Sequence, residues 1–168
     1  MKQILKFFLF FSAIVCSCSN SNISESIEQS SPNKIDLSSY YIDLDDMYNI
    51  DKENYAIYFS SSFCPACNSL NESLINFINN PERCIKNFYI VDLTYIEEEK
   101  INQMPSGNAM FDEDIINNSL YATSLEQTYF KSAPSLYFVS EIDEQRKLTN
   151  LILNYQLIKN VFDNNIVE

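Results

Sequence analysis

The residues best equipped for chemistry are two cysteines three positions apart, in the run Ser61-Ser62-Phe63-Cys64-Pro65-Ala66-Cys67. An apolar stretch precedes the run and a helical pattern follows it. Cys64 is thereby placed at a helix N-terminus, beside unpaired backbone N–H groups and the positive end of the helix dipole. That setting favours its thiolate. Pro65 falls on the first helical position, where the N–H it lacks has no intrahelical partner in any case. Cys67 lies a turn along the helix, mostly covered, and is placed to attack a mixed disulfide on Cys64 from within. Two other uses of the pair stay open at this level. It is half of a zinc site if a second pair exists, although only Cys84 remains in the domain, and no metal is assigned. It is otherwise a permanently oxidised structural staple. Cys84, which precedes an apolar run, reads as a buried or half-buried thiol.

The rest of the composition narrows the chemistry. The chain of 168 residues suits one domain, and 46% hydrophobic against 20% charged residues supports a packed core. There is no histidine, which removes Ser-His-Asp and Cys-His catalysis, His-ligated metals and any histidine switch. The single glycine excludes Gly-rich phosphate loops. A formal charge of −12 opposes nucleic-acid binding.

The elements that must position the cysteines follow from periodicity. Tyr40, Tyr41, Leu44, Met47, Tyr48 and Ile50 recur at helical spacing and predict a short helix capped by Ser38 or Ser39. Tyr55 to Phe59 is a continuous apolar run, as expected of a strand buried on both faces. After Cys64, a helix with Cys67, Leu70, Leu74, Phe77 and Ile78 on one face runs until Pro81 stops it. Phe88 to Val91 predicts a second strand. Leu120, Tyr121, Leu125 and Tyr129 predict another helix, closed by Pro134. Leu136 to Val139 predicts a third strand, Lys147 to Leu153 its hairpin partner and Tyr155 to Phe162 a last helix. The turn at 141–144 lacks glycine, so Asn and Asp must supply the left-handed conformations. Alternating strands and helices give an α/β domain, with a central mixed sheet of four to five strands flanked by helices.

On three stretches, YAIYFSSSFCPAC, FYIVDL and YFKSAPSLYFV, the chain resembles the thioredoxin superfamily over about residues 55–164. The resemblance implies a thioredoxin-like fold and thiol-disulfide exchange with protein or peptide cysteines. Cys64 would attack and Cys67 resolve, within the motif completed by Pro65 and Ala66. It also implies that Ala133-Pro134 is a cis peptide packed against the redox pair, exposing backbone groups that receive an extended substrate as an added strand. No bound cofactor is implied, since the cysteines carry the electrons, but a redox partner must recycle them. In length and texture the chain is similar to small extracytoplasmic thioredoxin-like proteins of bacteria, including bacteriocin-transport accessory proteins. The alternative is accordingly a non-catalytic accessory or binding module for an export or bacteriocin system.

Two departures from the family pattern stand out. Thioredoxins carry a buried carboxylate six residues before the first cysteine, where this chain has Tyr58; a water or a nearby acid would have to serve instead. The stretch 97–119 exceeds the usual connection, and either packs near the active-site face or forms a surface excursion with its own apolar cluster. The redox poise follows from elementary terms. A free thiol has a pKa near 8.5, and a helix N-terminus lowers it by about 0.2–1.5 units. Ala66 offers no donor to the sulfur, so an intermediate to reducing couple is expected, not the roughly −120 mV of the strongest oxidants.

The N-terminus reads as an address. Lys2 and Lys6 form a short basic start, and Ile4 to Val15 is mostly apolar, too short to span a bilayer but suited to a signal peptide. Val15-Cys16-Ser17-Cys18 resembles a bacterial lipobox, with Cys18 the better anchor and Cys16 the runner-up. The expected organisation is a signal peptide over 1–17, the lipid-anchor cysteine and a Ser/Asn-rich tether over 18–34, and the domain over 35–168. That makes an exported, membrane-anchored lipoprotein on the extracytoplasmic face, monomeric by default and without nucleic-acid partners.

Overall fold

The structure, a computed structural model, describes residues 36–97, 100, 104–107 and 109–167. The expected signal peptide, both lipobox cysteines and the tether lie outside these residues.

Four strands form one mixed sheet: β1 (Asn54–Ser60), β2 (Phe88–Asp92), β3 (Ser135–Ile142) and β4 (Gln145–Ile152). Their order across the sheet is β2-β1-β3-β4. β1 runs parallel to β2 and antiparallel to β3, and β3 and β4 form an antiparallel hairpin. Helices α1 (Pro65–Asn79), α2 (Asp112–Ser119) and α3 (Tyr155–Asn164) accompany the sheet. This is the α/β, thioredoxin-like arrangement: a parallel β1-α1-β2 unit, then a hairpin returning beside β1, then a closing helix.

β1 has neighbours on both edges and layers on both faces, which explains its unbroken apolar run. Ala56 and Tyr58 point to the side covered by α1 and α3, where they join Leu70, Leu74, Phe77, Val161 and Phe162. Tyr55, Ile57 and Phe59 point to the other side, against Leu44, Met47, Met104 and Leu125. Aromatic edges lock the first layer, with Phe162 within 5.3 Å of Tyr58 and 5.4 Å of Phe77, centroid to centroid. The expected apolar face of α1 is the buried one, residue for residue: Cys67, Leu70, Leu74, Phe77 and Ile78. α3 starts at Asn154, whose Oδ1 accepts from Gln156 and Leu157. It ends at Asn165 (φ 58°), whose side chain holds the 82–84 loop by accepting from the Cys84 N–H and donating to the Glu82 carbonyl.

Two expected helices differ from the structure. In place of a helix over Tyr40 to Ile50, the chain from Leu37 forms two short 3-10 turns, Leu37–Tyr40 and Leu44–Asp46. Asp36, not Ser38 or Ser39, caps the first, accepting from the Ser38 N–H. Between the turns the chain extends so that Ile42 N–H bonds to the Ile90 carbonyl beside β2. No α-helix forms over the expected residues 120–129, which hold only the 3-10 turn Leu125–Gln127; α2 lies before them. Tyr121 adopts φ 67°, and Tyr121 and Ala122 exchange backbone hydrogen bonds with Leu148 on the edge of β4, so no helix can continue there. The described residues of the long 97–119 stretch join the second core layer through buried Met104, with Ile116 packed against it, and Ile115 is also buried. The Gly107 N–H donates to the Phe130 carbonyl, and the Phe130 N–H to the Pro105 carbonyl.

The β3–β4 hairpin closes through Asp143 (φ 55°) and Glu144 (φ 62°). A two-residue turn of this hand demands positive φ at both positions. Asp tolerates that region, while Glu costs about 1–2 kcal/mol there. Glu144→Gly is therefore expected to raise the unfolding free energy by about 1 kcal/mol, read as a higher urea midpoint at unchanged slope. An unchanged midpoint would show that the turn holds no strain.

Candidate redox site

The site is assembled where β1 hands over to α1. Ser60 ends β1, residues 61–63 form the bend, and Cys64 is the N-cap of α1 with extended backbone (φ −95°, ψ 107°). Pro65 occupies the first helical turn, as its fixed φ and missing N–H allow. Cys64 and Cys67 are joined in a disulfide, with Cα atoms 5.2 Å apart. The two sulfurs are not equivalent. Cys67 is 1% exposed, whereas Cys64 is half-buried. The Cys67 backbone N–H lies 3.0 Å from Cys64 Sγ and points a helix-terminal donor at it. The same donor would stabilise a thiolate on Cys64 once the bond is reduced.

Across from the pair runs the segment entering β3. Ala133-Pro134 is a cis peptide. The Ala133 carbonyl oxygen lies 3.4 Å from Cys64 Sγ, close enough to receive a thiol proton in the reduced form. Pro134 is buried and Ala133 half-buried. The structure thus brings together Cys64, Pro65, Ala66, Cys67, Ala133 and Pro134, which are 69 positions apart at the extremes of the Cys64–Ala133 contact. Cys84 stands elsewhere, half-buried, on the loop held by Asn165.

Tyr58 occupies the strand position six residues before Cys64. It is 1% exposed, and its hydroxyl has no hydrogen-bond partner among the described residues. Burial pushes its phenol up to about 12. A group held so firmly protonated does not take protons from a thiol near neutral pH. Asp92, at the end of β2, is committed locally: its carboxylate accepts from the Thr94 N–H and caps the 3-10 turn Leu93–Tyr95.

Sequence reasoning did not single out the residues that hold the bend. Ser62 N–H donates to Thr94 Oγ1 at 2.7 Å, and the Ser62 carbonyl accepts from Asn68 Nδ2 at 3.2 Å. Phe63 N–H donates to Ser61 Oγ, and Cys64 N–H to the Ser61 carbonyl. The available signal was the Asp92-Leu93-Thr94 sequence at the end of a strand, the pattern of an Asx-type cap.

Fold and site together define a thioredoxin-like α/β domain with a Cys-x-x-Cys pair, oxidised, at the start of its first helix. No protein-family model and no curated protein matches the chain. Among solved structures it is similar to a crystal structure of Plasmodium falciparum thioredoxin, with 18% identity and a TM-score of 0.40, covering 74% of this chain and 86% of that one.

Proposed function

We propose that the protein is a thiol-disulfide oxidoreductase acting on cysteines of other proteins or peptides. The observation that carries this reading is the asymmetry of the pair: one sulfur partly open at a helix N-cap, the other sealed beneath it. In the reductive direction, the Cys64 thiolate attacks a client disulfide, and the distal client sulfur leaves as a thiolate that takes up a proton. The Cys67 thiolate then attacks Cys64 Sγ, breaks the mixed disulfide and expels the second client thiolate. Two electrons have passed from the dithiol to the client, and the Cys64–Cys67 disulfide is restored. Run backwards, the same steps oxidise a client dithiol. Either direction needs a second dithiol or disulfide protein to reset the pair.

Ala133-Pro134 is the docking edge in this reading, because its carbonyl already faces the reacting sulfur. Ala66 gives that sulfur no further donor, so the couple is of intermediate to reducing poise. The leader sequence supports export and anchoring of the protein at Cys18 on the extracytoplasmic face of a membrane, with clients met there.

Insulin-disulfide reduction tests the activity directly. The wild-type protein is expected to precipitate the insulin B chain well above the dithiothreitol background, and Cys64→Ser and Cys67→Ser to fall to that background. Three indistinguishable traces would mean that the disulfide is a structural staple and that the domain is a binding module.

A further inference from the structure

The seat of Cys64 is fixed from outside its own helix, and the residue that fixes it lies 30 positions downstream of it. Ser61 and Ser62 connect β1 to the cysteine, and bends of this kind are the easiest part of a fold to loosen. Here every backbone N–H from Ser62 to Cys64 has a partner. Two are internal to the bend: Phe63 N–H on Ser61 Oγ at 3.2 Å, and Cys64 N–H on the Ser61 carbonyl at 3.1 Å. The third comes from another element. Thr94 Oγ1 accepts from Ser62 N–H at 2.7 Å and lies 3.4 Å from Ser61 Oγ, to which it donates. Thr94 is itself held, since Asp92 Oδ1 accepts its N–H at 2.9 Å. Asn68, one turn into α1, binds the Ser62 carbonyl from the opposite side.

We propose that Thr94 is a positioning residue for the redox pair: its hydroxyl, anchored by Asp92, pins the Ser61-Ser62 bend and so holds Cys64 Sγ between the Cys67 N–H and the Ala133 carbonyl. This rests on the exchange activity proposed above. The hydroxyl is suited to the task because it accepts and donates at once, which valine of the same shape cannot do. Loss of the pin lets the bend move relative to the helix terminus. The thiolate of reduced Cys64 then loses part of the stabilisation that an aligned N–H gives it, an effect confined to the first helical turn. The electrostatic consequence is local, whereas a merely structural role would appear only in global stability.

The test uses the reduced full-length protein and the variants Thr94→Val and Thr94→Ser. The readout is the pH dependence of Cys64 alkylation by iodoacetamide, followed by peptide mass spectrometry. Thr94→Val is expected to raise the apparent thiol pKa by about half a unit, which lowers the alkylation rate at pH 7 about threefold. Thr94→Ser, which keeps the hydroxyl, is expected to titrate like wild type. Circular dichroism establishes that each variant is folded. Should Thr94→Val not fold, Asn68→Ala, which releases Ser62 from the other side, is expected to raise the same pKa in its place. A folded Thr94→Val with a wild-type titration overturns the proposal, as does a Thr94→Ser that shifts equally, because either removes the hydroxyl from the cause. Failure of the wild-type protein to reduce insulin would instead strike the exchange activity and leave the titration comparison standing.

Discussion

Cys67→Ser is expected to turn the protein into a trap, retaining on Cys64 a client that the wild-type protein releases. Cys67 is 1% exposed, so a client sulfur has no access to it and the first attack must fall on or come from Cys64. The mixed disulfide formed there is then resolved by a neighbour whose Cα is only 5.2 Å away. Well-oriented intramolecular reactions reach effective molarities of roughly 10⁵ M and more, far above any thiol in solution. A serine hydroxyl is no substitute, because it is not ionised near neutral pH and does not displace sulfur. Release of the client by external thiol should therefore be slower by at least ~10³-fold. The measurement is the lifetime of the covalent complex, formed with a model peptide disulfide and followed by non-reducing electrophoresis. Cys64→Ser should give no complex, since the remaining sulfur is sealed. Rapid release from Cys67→Ser would mean that Cys67 does not resolve, and complexes formed equally by both variants would remove the division of labour.

How much of this was legible in the sequence depends on which interactions fix each element. α1 is a local object: a proline at its first position, apolar residues at 67, 70, 74, 77 and 78, and a proline just after its end. Each signal acts within a turn or two, so the helix and its buried face could be read directly. β1 was equally legible, because burial on both faces leaves only one kind of residue. The segment 120–129 was misread for the opposite reason. Its apolar residues do recur at helical intervals, but its backbone groups are claimed by Leu148, a partner that no local pattern reveals. α2 was overlooked because only Ile115 is a fully buried apolar residue on it. The signal it did carry was Asp112, Glu113 and Asp114, three acids in the first turn opposite the helix dipole. The same division holds at the site. Cys64 and Cys67 announce themselves by spacing, and Ala133-Pro134 was reached through a family resemblance. Thr94 becomes visible only when β1 and β2 lie side by side, with Ser60 in register with Asp92.

Alkaline pH is expected to unfold the domain cooperatively, with most of its stability lost between pH 10 and 12. Four of the 11 tyrosines carry the effect: Tyr48, Tyr55, Tyr58 and Tyr137. Burial raises each phenol above its ordinary value of 10.0, Tyr48 and Tyr58 to about 12 and the other two further. Two also have something to lose by ionising: Tyr55 donates to the Met47 carbonyl and Tyr137 to the Tyr129 carbonyl. Below the ordinary phenol range all four are protonated in the folded and the unfolded chain alike, and their contribution is complete. Above it the unfolded chain releases protons that the fold retains, so stability falls as pH climbs towards the folded values. At pH 11 each group withdraws on the order of 1 kcal/mol, and four together several kcal/mol, a large part of the stability of many domains. Tyrosinate absorbance should therefore rise for these four in one step, coincident with loss of the circular dichroism signal. The double variant Tyr48→Phe, Tyr58→Phe removes two of the four groups and should move that step upward by roughly one pH unit. Tyr58→Phe alone should leave stability at pH 7 undiminished, because the hydroxyl it deletes has no partner to lose. A transition that the double variant leaves in place would show that the core phenols do not drive it, and that the growing negative charge of the chain does so instead.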